Sequence, residues 1–150
     1  MEAAKFYTGS VPKTNVTDTI MLPGNFTIEA KGSAAPGYLI WGGSYQIQIN
    51  ADGSVTAWEF YHSSIAMKSP KTYNANNDIH VVLVGEGNTL SMYINGELSN
   101  TSEADGLIAM GNFNITNKAI FGDQSPNGVE VNFYNQAATA DDVTAMYLAD

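Results

Sequence analysis

Two tryptophans, eight tyrosines and a set of interleaved amides are the side chains of this 150-residue sequence best equipped for chemistry. An aromatic face stacks on the C–H surface of a sugar, and amides and carboxylates exchange hydrogen bonds with its hydroxyls. Gln46, Gln48, Glu59 and Tyr61 fall on neighbouring segments, Tyr45-Gln46-Ile47-Gln48-Ile49-Asn50 and Ser54 to Tyr61, that alternate apolar and polar residues, and Trp41 lies four residues before the first of them. Residues i and i+2 of a strand share a face. With Trp58 and Phe60 turned into a core, as their burial tendency favours, Glu59 and Tyr61 point outward beside Gln46 and Gln48 and form an amide–aromatic patch suited to a glycan.

Catalytic sets are sparser. Glycoside hydrolysis needs two carboxyl groups about 5–5.5 Å apart for retention or about 6.5–9.5 Å for inversion. The one acidic i, i+2 pair, Glu103-Ala104-Asp105, sits in a segment, Asn100 to Gly106, that reads as a loop, so a glycoside hydrolase is disfavoured. A Ser–His–Asp arrangement needs a histidine near a nucleophile, and the sequence holds only His62 and His80; His80 opens an apolar run and reads as structural, while His62 beside Ser63-Ser64 stands at a polar strand end. The absence of cysteine removes thiol nucleophiles, disulfides and Cys-based zinc sites.

Charge narrows the partners. Six Lys and no Arg against fifteen Asp plus Glu give a net charge of −9, which repels a phosphate backbone and excludes nucleic acid. No run approaches the roughly 18 apolar residues of a membrane-spanning helix, so no membrane insertion is expected. The start, Met1-Glu2-Ala3-Ala4-Lys5, lacks the basic and apolar parts of a secretion signal. That combination fits either a virion component or a domain of a larger exported protein, hence an extracellular or virion-surface location.

The elements that must hold these residues are mostly strands. Phe26 to Lys31, Tyr45 to Asn50, Ser54 to Tyr61, Leu90 to Ile94 and Val129 to Tyr134 alternate with period two, and Ile79 to Val84 is a near-continuous apolar run. Ala51-Asp52-Gly53 and Asn95-Gly96 are hairpin turns, the second of the tight two-residue kind. About ten strands in one domain spanning 1–150 predict a two-sheet sandwich. At the end, Thr139 precedes Ala140-Asp141-Asp142, and Val143, Met146 and Tyr147 recur at helical spacing, so a short C-terminal α-helix with a Thr139–Asp142 capping box is expected to lie on the sandwich.

Three segments in order resemble the laminin-G-like group of the concanavalin A-like lectin/glucanase jelly rolls: Asn25 to Ala30; His80 to Val84 with Gly87 to Leu98; and Gly128 to Asn135 with Ala137 to Val143. The resemblance implies an all-β, two-sheet antiparallel jelly-roll sandwich with a short C-terminal α-helix. It also implies calcium as a candidate cofactor on a sandwich edge, for which Asp52 and Asp123 are the leading ligands, with Asp18 behind them and Asn50 and Asn127 as neutral donors. Asp52 has a second explanation as a turn residue before Gly53. Members of the group bind glycans, bind proteins or build structures. The leading expectation is a non-catalytic glycan-binding or adhesion module displayed on an outer surface, and the alternative is a capsid decoration or fibre protein. Its partners would be a glycan or a protein surface, with homo-oligomerisation or assembly on a larger particle open.

Overall fold

A computed structural model describes residues 5–11, 15–21, 25–42, 45–59, 65–104, 112–121 and 129–149, with side chains described over 25–40, 45–59, 65–104 and 130–149. The strands are β1 (Lys5–Val11), β2 (Asn15–Met21), β3 (Phe26–Ser33), β4 (Gly37–Gly42), β5 (Tyr45–Ile49), β6 (Val55–Glu59), β7 (Ile65–Lys68), β8 (Asp78–Glu86), β9 (Thr89–Ile94), β10 (Glu97–Glu103), β11 (Asn112–Phe121) and β12 (Val129–Tyr134). They form two six-stranded sheets, β1-β12-β3-β8-β9-β10 and β2-β11-β4-β5-β6-β7, in which each ladder is antiparallel. This is the jelly-roll sandwich expected from the alternation, and helix α1 (Ala140–Leu148) closes it.

The inward residues of the two sheets meet in one core. Phe26, Ile28, Val81 and Leu83 of the first sheet and Tyr45, Ile47 and Ile49 of the second are at most 1% exposed. Gly85 is part of this packing, because a Cβ there would overlap the Phe26 ring, which itself meets Tyr45 edge-on at 5.1 Å between centroids. The β9–β10 connection is the type I′ turn expected, with positive φ at Asn95 (51°) and Gly96 (84°). A Cβ at Gly96 would also come to 3.0 Å from the Tyr147 ring, which would have to shift slightly.

Thr139 caps α1 as its sequence predicts: its hydroxyl accepts from the Asp142 N–H at 3.1 Å while the Asp142 carboxylate accepts from the Thr139 N–H at 2.9 Å. Val143 is fully buried against Val82, Val84 and Ala138, with Met146 packed alongside. Tyr147 is less enclosed than the helical spacing implies: it is exposed, with its ring 5.8 Å from that of His80.

The chain forms more strands than its alternation shows. Twelve strands stand among the described residues against about ten expected; β1, β2, β4 and β7 fall outside the alternating runs named above, and β10 continues to Glu103 through residues that read as a loop. β10 is an edge strand whose sequence, Glu97-Leu-Ser-Asn-Thr-Ser-Glu103, has no apolar face; its order comes from pairing with β9, Thr101 opposite Ser91 and Ser102 opposite Leu90. Two contacts fasten this edge to β7 and the segment after it in the other sheet, Asn100 Nδ2 donating to the Lys68 carbonyl at 3.1 Å and Lys71 Nζ meeting Glu97 at 3.1 Å.

Replacing Gly85 by Ala forces the Phe26 ring out of the core. We expect a loss of about 1–3 kcal/mol, the usual cost of overpacking, read as a lower urea midpoint with an unchanged slope. An unaltered midpoint would refute the close packing of Phe26 on β8.

Candidate functional site

The side chains expected to recognise a ligand lie on β4, β5 and β6. Ladder register decides which way each points. Tyr45 pairs with Glu59, Ile47 with Ala57 and Ile49 with Val55, and all six side chains are buried on the core side. Gln46 pairs with Trp58 and Gln48 with Thr56 on the opposite, outer side. The expected phase of β6 is therefore inverted: Glu59 is 0% exposed and inside the sandwich, while Trp58 is partly exposed beside Gln46. The cause is the two aliphatic cross-strand pairs, which together outweigh the burial tendency of a single tryptophan. Tyr45 responds to its surroundings, its phenol pushed well above the ordinary value, first by burial and then by the Glu59 charge.

The outer side of this sheet is an amide–aromatic surface of different membership from the one expected. One row across the strands holds Gln46, Trp58 and Ala66, and the register sets position 41 opposite Gln46 in the same row. The next row holds Tyr38, Gln48, Thr56 and Lys68. Tyr38, Gln46, Gln48 and Trp58 are each partly exposed. Thr56 accepts a hydrogen bond on its hydroxyl from Asn50 Nδ2 at 2.8 Å. The side chain of Trp41 lies outside the described residues, and so do Tyr61 and His62.

Asp52 is occupied by its own turn. Its Oδ1 accepts from the N–H and the hydroxyl of Ser54, at 2.9 and 2.6 Å, and its Oδ2 lies 3.7 Å from Lys68 Nζ. The Ser54 bonds hold its carboxyl below the usual range. Among the described residues no three His, Asp or Glu gather where a metal ion could sit, and Asp123 lies outside them.

A second polar cluster, absent from the sequence reading, covers part of the outer side of the first sheet. Glu29 of β3 receives His80 Nε2 of β8 at 2.8 Å on one oxygen, and Asn132 Nδ2 and Tyr134 Oη of β12 at 3.0 and 3.1 Å on the other. The carboxylate can only accept, so His80 Nε2 carries the proton in this bond. Burial drives the Glu29 carboxyl upward, but the hydrogen bonds from His80, Asn132 and Tyr134 and the attraction to His80 outweigh it, leaving the pKa below its ordinary value near 4.5. Tyr134 is pushed above the ordinary phenol value by burial and then by the Glu29 charge. Two shallow recesses of about 190 Å³ each flank this cluster beneath the last turn of α1, meeting at Lys31 and His80. Both oxygens of Glu29 are spent within the protein, so the cluster anchors three strands more readily than it receives a ligand. Alternation marks Glu29 as a polar position of its strand, whereas His80 opens a near-continuous apolar run, and their meeting depends on the β3–β8 pairing.

A laminin-G model described as the Concanavalin A-like lectin/glucanases superfamily matches residues 12–144. Among solved structures, the chain is similar to the binding domain of botulinum neurotoxin DC in complex with rat synaptotagmin II (17% identity, TM-score 0.59, covering 84% of this chain and 36% of that one). It is similar to the native heptameric SAP-like pentraxin from Limulus polyphemus (15%, TM-score 0.62, 92% and 80%). It is also similar to the Ruminococcus gnavus IT-sialidase CBM40 bound to α2,3 sialyllactose (12%, TM-score 0.63, 96% and 97%). At these identities the likeness is one of fold, and the chain spans about a third of the length of the toxin domain, 36% of it. No curated protein matches the chain.

Because the Glu29 pKa is depressed in the folded state, the unfolded chain takes up its proton first as pH falls, so this stabilisation is complete above pH 4.5 and is lost below it, through the lower folded value. Urea titrations between neutral pH and pH 3 should show the wild type losing stability more steeply below about pH 4.5 than Glu29→Gln. Parallel pH profiles for the two proteins would contradict the cluster as described.

Proposed function

The chain belongs to the Concanavalin A-like lectin/glucanases superfamily, and we propose that it is a non-catalytic glycan-binding module displayed on an outer surface, using the outer side of the β4-β5-β6-β7 sheet. The observation that carries this reading is the register that sets Gln46 beside Trp58 and Gln48 beside Thr56 on one partly exposed side, with Tyr38 opposite Gln48. An amide can donate and accept at once, as a sugar hydroxyl does, and an aromatic neighbour supplies the apolar platform. The full-length likeness to a carbohydrate-bound sialidase module supports the same class of ligand.

The non-catalytic part rests on Glu59. It is the carboxylate that the sequence set nearest the expected patch, and it lies in the core, 0% exposed, where it cannot reach a glycosidic oxygen. The rival reading, a capsid decoration or fibre protein, draws on the exposed Leu98 and Leu148, which are 59% and 72% accessible, but single exposed leucines are ordinary on soluble surfaces.

A glycan array followed by calorimetry tests the proposal. Each neutral hydrogen bond contributes about 0.5–1.5 kcal/mol, so Gln46→Ala with Gln48→Ala should weaken binding roughly tenfold without lowering the melting temperature. Absence of binding by the wild type, or equal binding by the double variant, would remove the face from consideration.

A further inference from the structure

Resting on that glycan-binding reading, we propose that the ligand is a neutral, extended oligosaccharide laid across the strands, and that sialylated or otherwise anionic glycans are rejected. The reason lies in what the surface offers. A carboxylate is held most selectively by the planar fork of a guanidinium, which makes two parallel charge-assisted bonds. This chain has no arginine at all, and its six lysines face fifteen carboxylates.

Among the described side chains, Lys68 is the cation of the outer side of the second sheet. Its Nζ stands 3.7 Å from Asp52 Oδ2, and Asp52 is kept ionised by the hydrogen bonds of Ser54. An anion approaching Lys68 therefore also meets the Asp52 carboxylate. The remaining described lysines do not help: Lys71 is engaged with Glu97, and Lys31 belongs to the other sheet. The net charge of −9 adds repulsion, which salt screens beyond a Debye length of about 8 Å. Gln46 and Gln48, by contrast, carry donors and acceptors without charge, which matches hydroxyl and N-acetyl groups.

Shape follows from the rows. Position 41, Gln46, Trp58 and Ala66 stand on four successive strands, three inter-strand gaps that span about 14 Å at roughly 4.8 Å each. The row ends on the small, exposed side chain of Ala66, which leaves that end open. Such a surface is longer across the strands than one sugar ring and contacts several in line.

The test is an array that pairs neutral glycans with their sialylated and sulfated counterparts, followed by calorimetry of the bound neutral species as mono-, di- and trisaccharide at about 50 and about 500 mM salt. We expect the neutral members to bind and the anionic ones to fail. Affinity should rise about tenfold or more from mono- to trisaccharide and change less than about twofold with salt, since no counterions are displaced. Preference for sialylated or sulfated members, with strong salt dependence, overturns the neutral assignment while the glycan-binding reading stands. A monosaccharide that binds as well as a trisaccharide overturns the extended geometry. Absence of binding to every member overturns the glycan-binding reading and this inference with it.

Discussion

Strand β8 buries side chains on both of its faces, and the rest of the molecule is arranged to make that possible. Val81 and Leu83 enter the core between the sheets, while Val82 and Val84 point the other way and are covered by Val143 of α1. Each fully buried aliphatic side chain of this size contributes about 1.5–3 kcal/mol relative to leaving it in water. Without the helix, two valines would lie on an open sheet. The capping box at Thr139 thus has a tertiary purpose, since it fixes where the helix begins and hence where Val143 falls.

His80 stands on the same side of β8 as those valines, just past the apolar part of the helix, and a polar group enclosed there needs a partner. Glu29 supplies it from the adjacent strand, and Asn132 and Tyr134 supply the bonds that make a partly buried carboxylate tolerable. The result ties β3, β8 and β12 together on the side where the inter-sheet core does not reach. Thr27 extends the tie toward the helix, its hydroxyl donating to the Gln136 carbonyl at 2.7 Å and accepting from the Ala138 N–H at 2.9 Å.

The β5-β6-β7 part of the second sheet shows the complementary case, in which one side is core and the other carries exposed and partly exposed side chains. Its inner side is set by Ile47 and Ile49 against Ala57 and Val55, and once those pairs form, the period of two assigns every other side chain. Glu59 enters the interior at the end of its strand, and Trp58 and the two glutamines are left outside together. The proposed recognition surface is thus a by-product of core register rather than a separately built pocket.

Much of this was written in local sequence. Alternation marks Phe26 to Lys31 and Tyr45 to Asn50 as strands, Asn95-Gly96 dictates the turn because both residues tolerate positive φ, and Thr139 with Asp142 dictates the helix start; each needs only neighbours within a few residues. The weakly patterned strands were hidden because an edge such as β10 takes its order from a partner and has no apolar side to advertise. Tertiary structure alone decided two further features. Trp58 and Glu59 are adjacent and both plausible on either side, and only the pairing of β6 with β5 chose between them. Glu29 and His80 lie 51 residues apart, and only the β3–β8 ladder brought them to 2.8 Å. Local pattern fixes which residues alternate; which side faces the core is settled by the energy of the whole packed ladder, which no single segment contains.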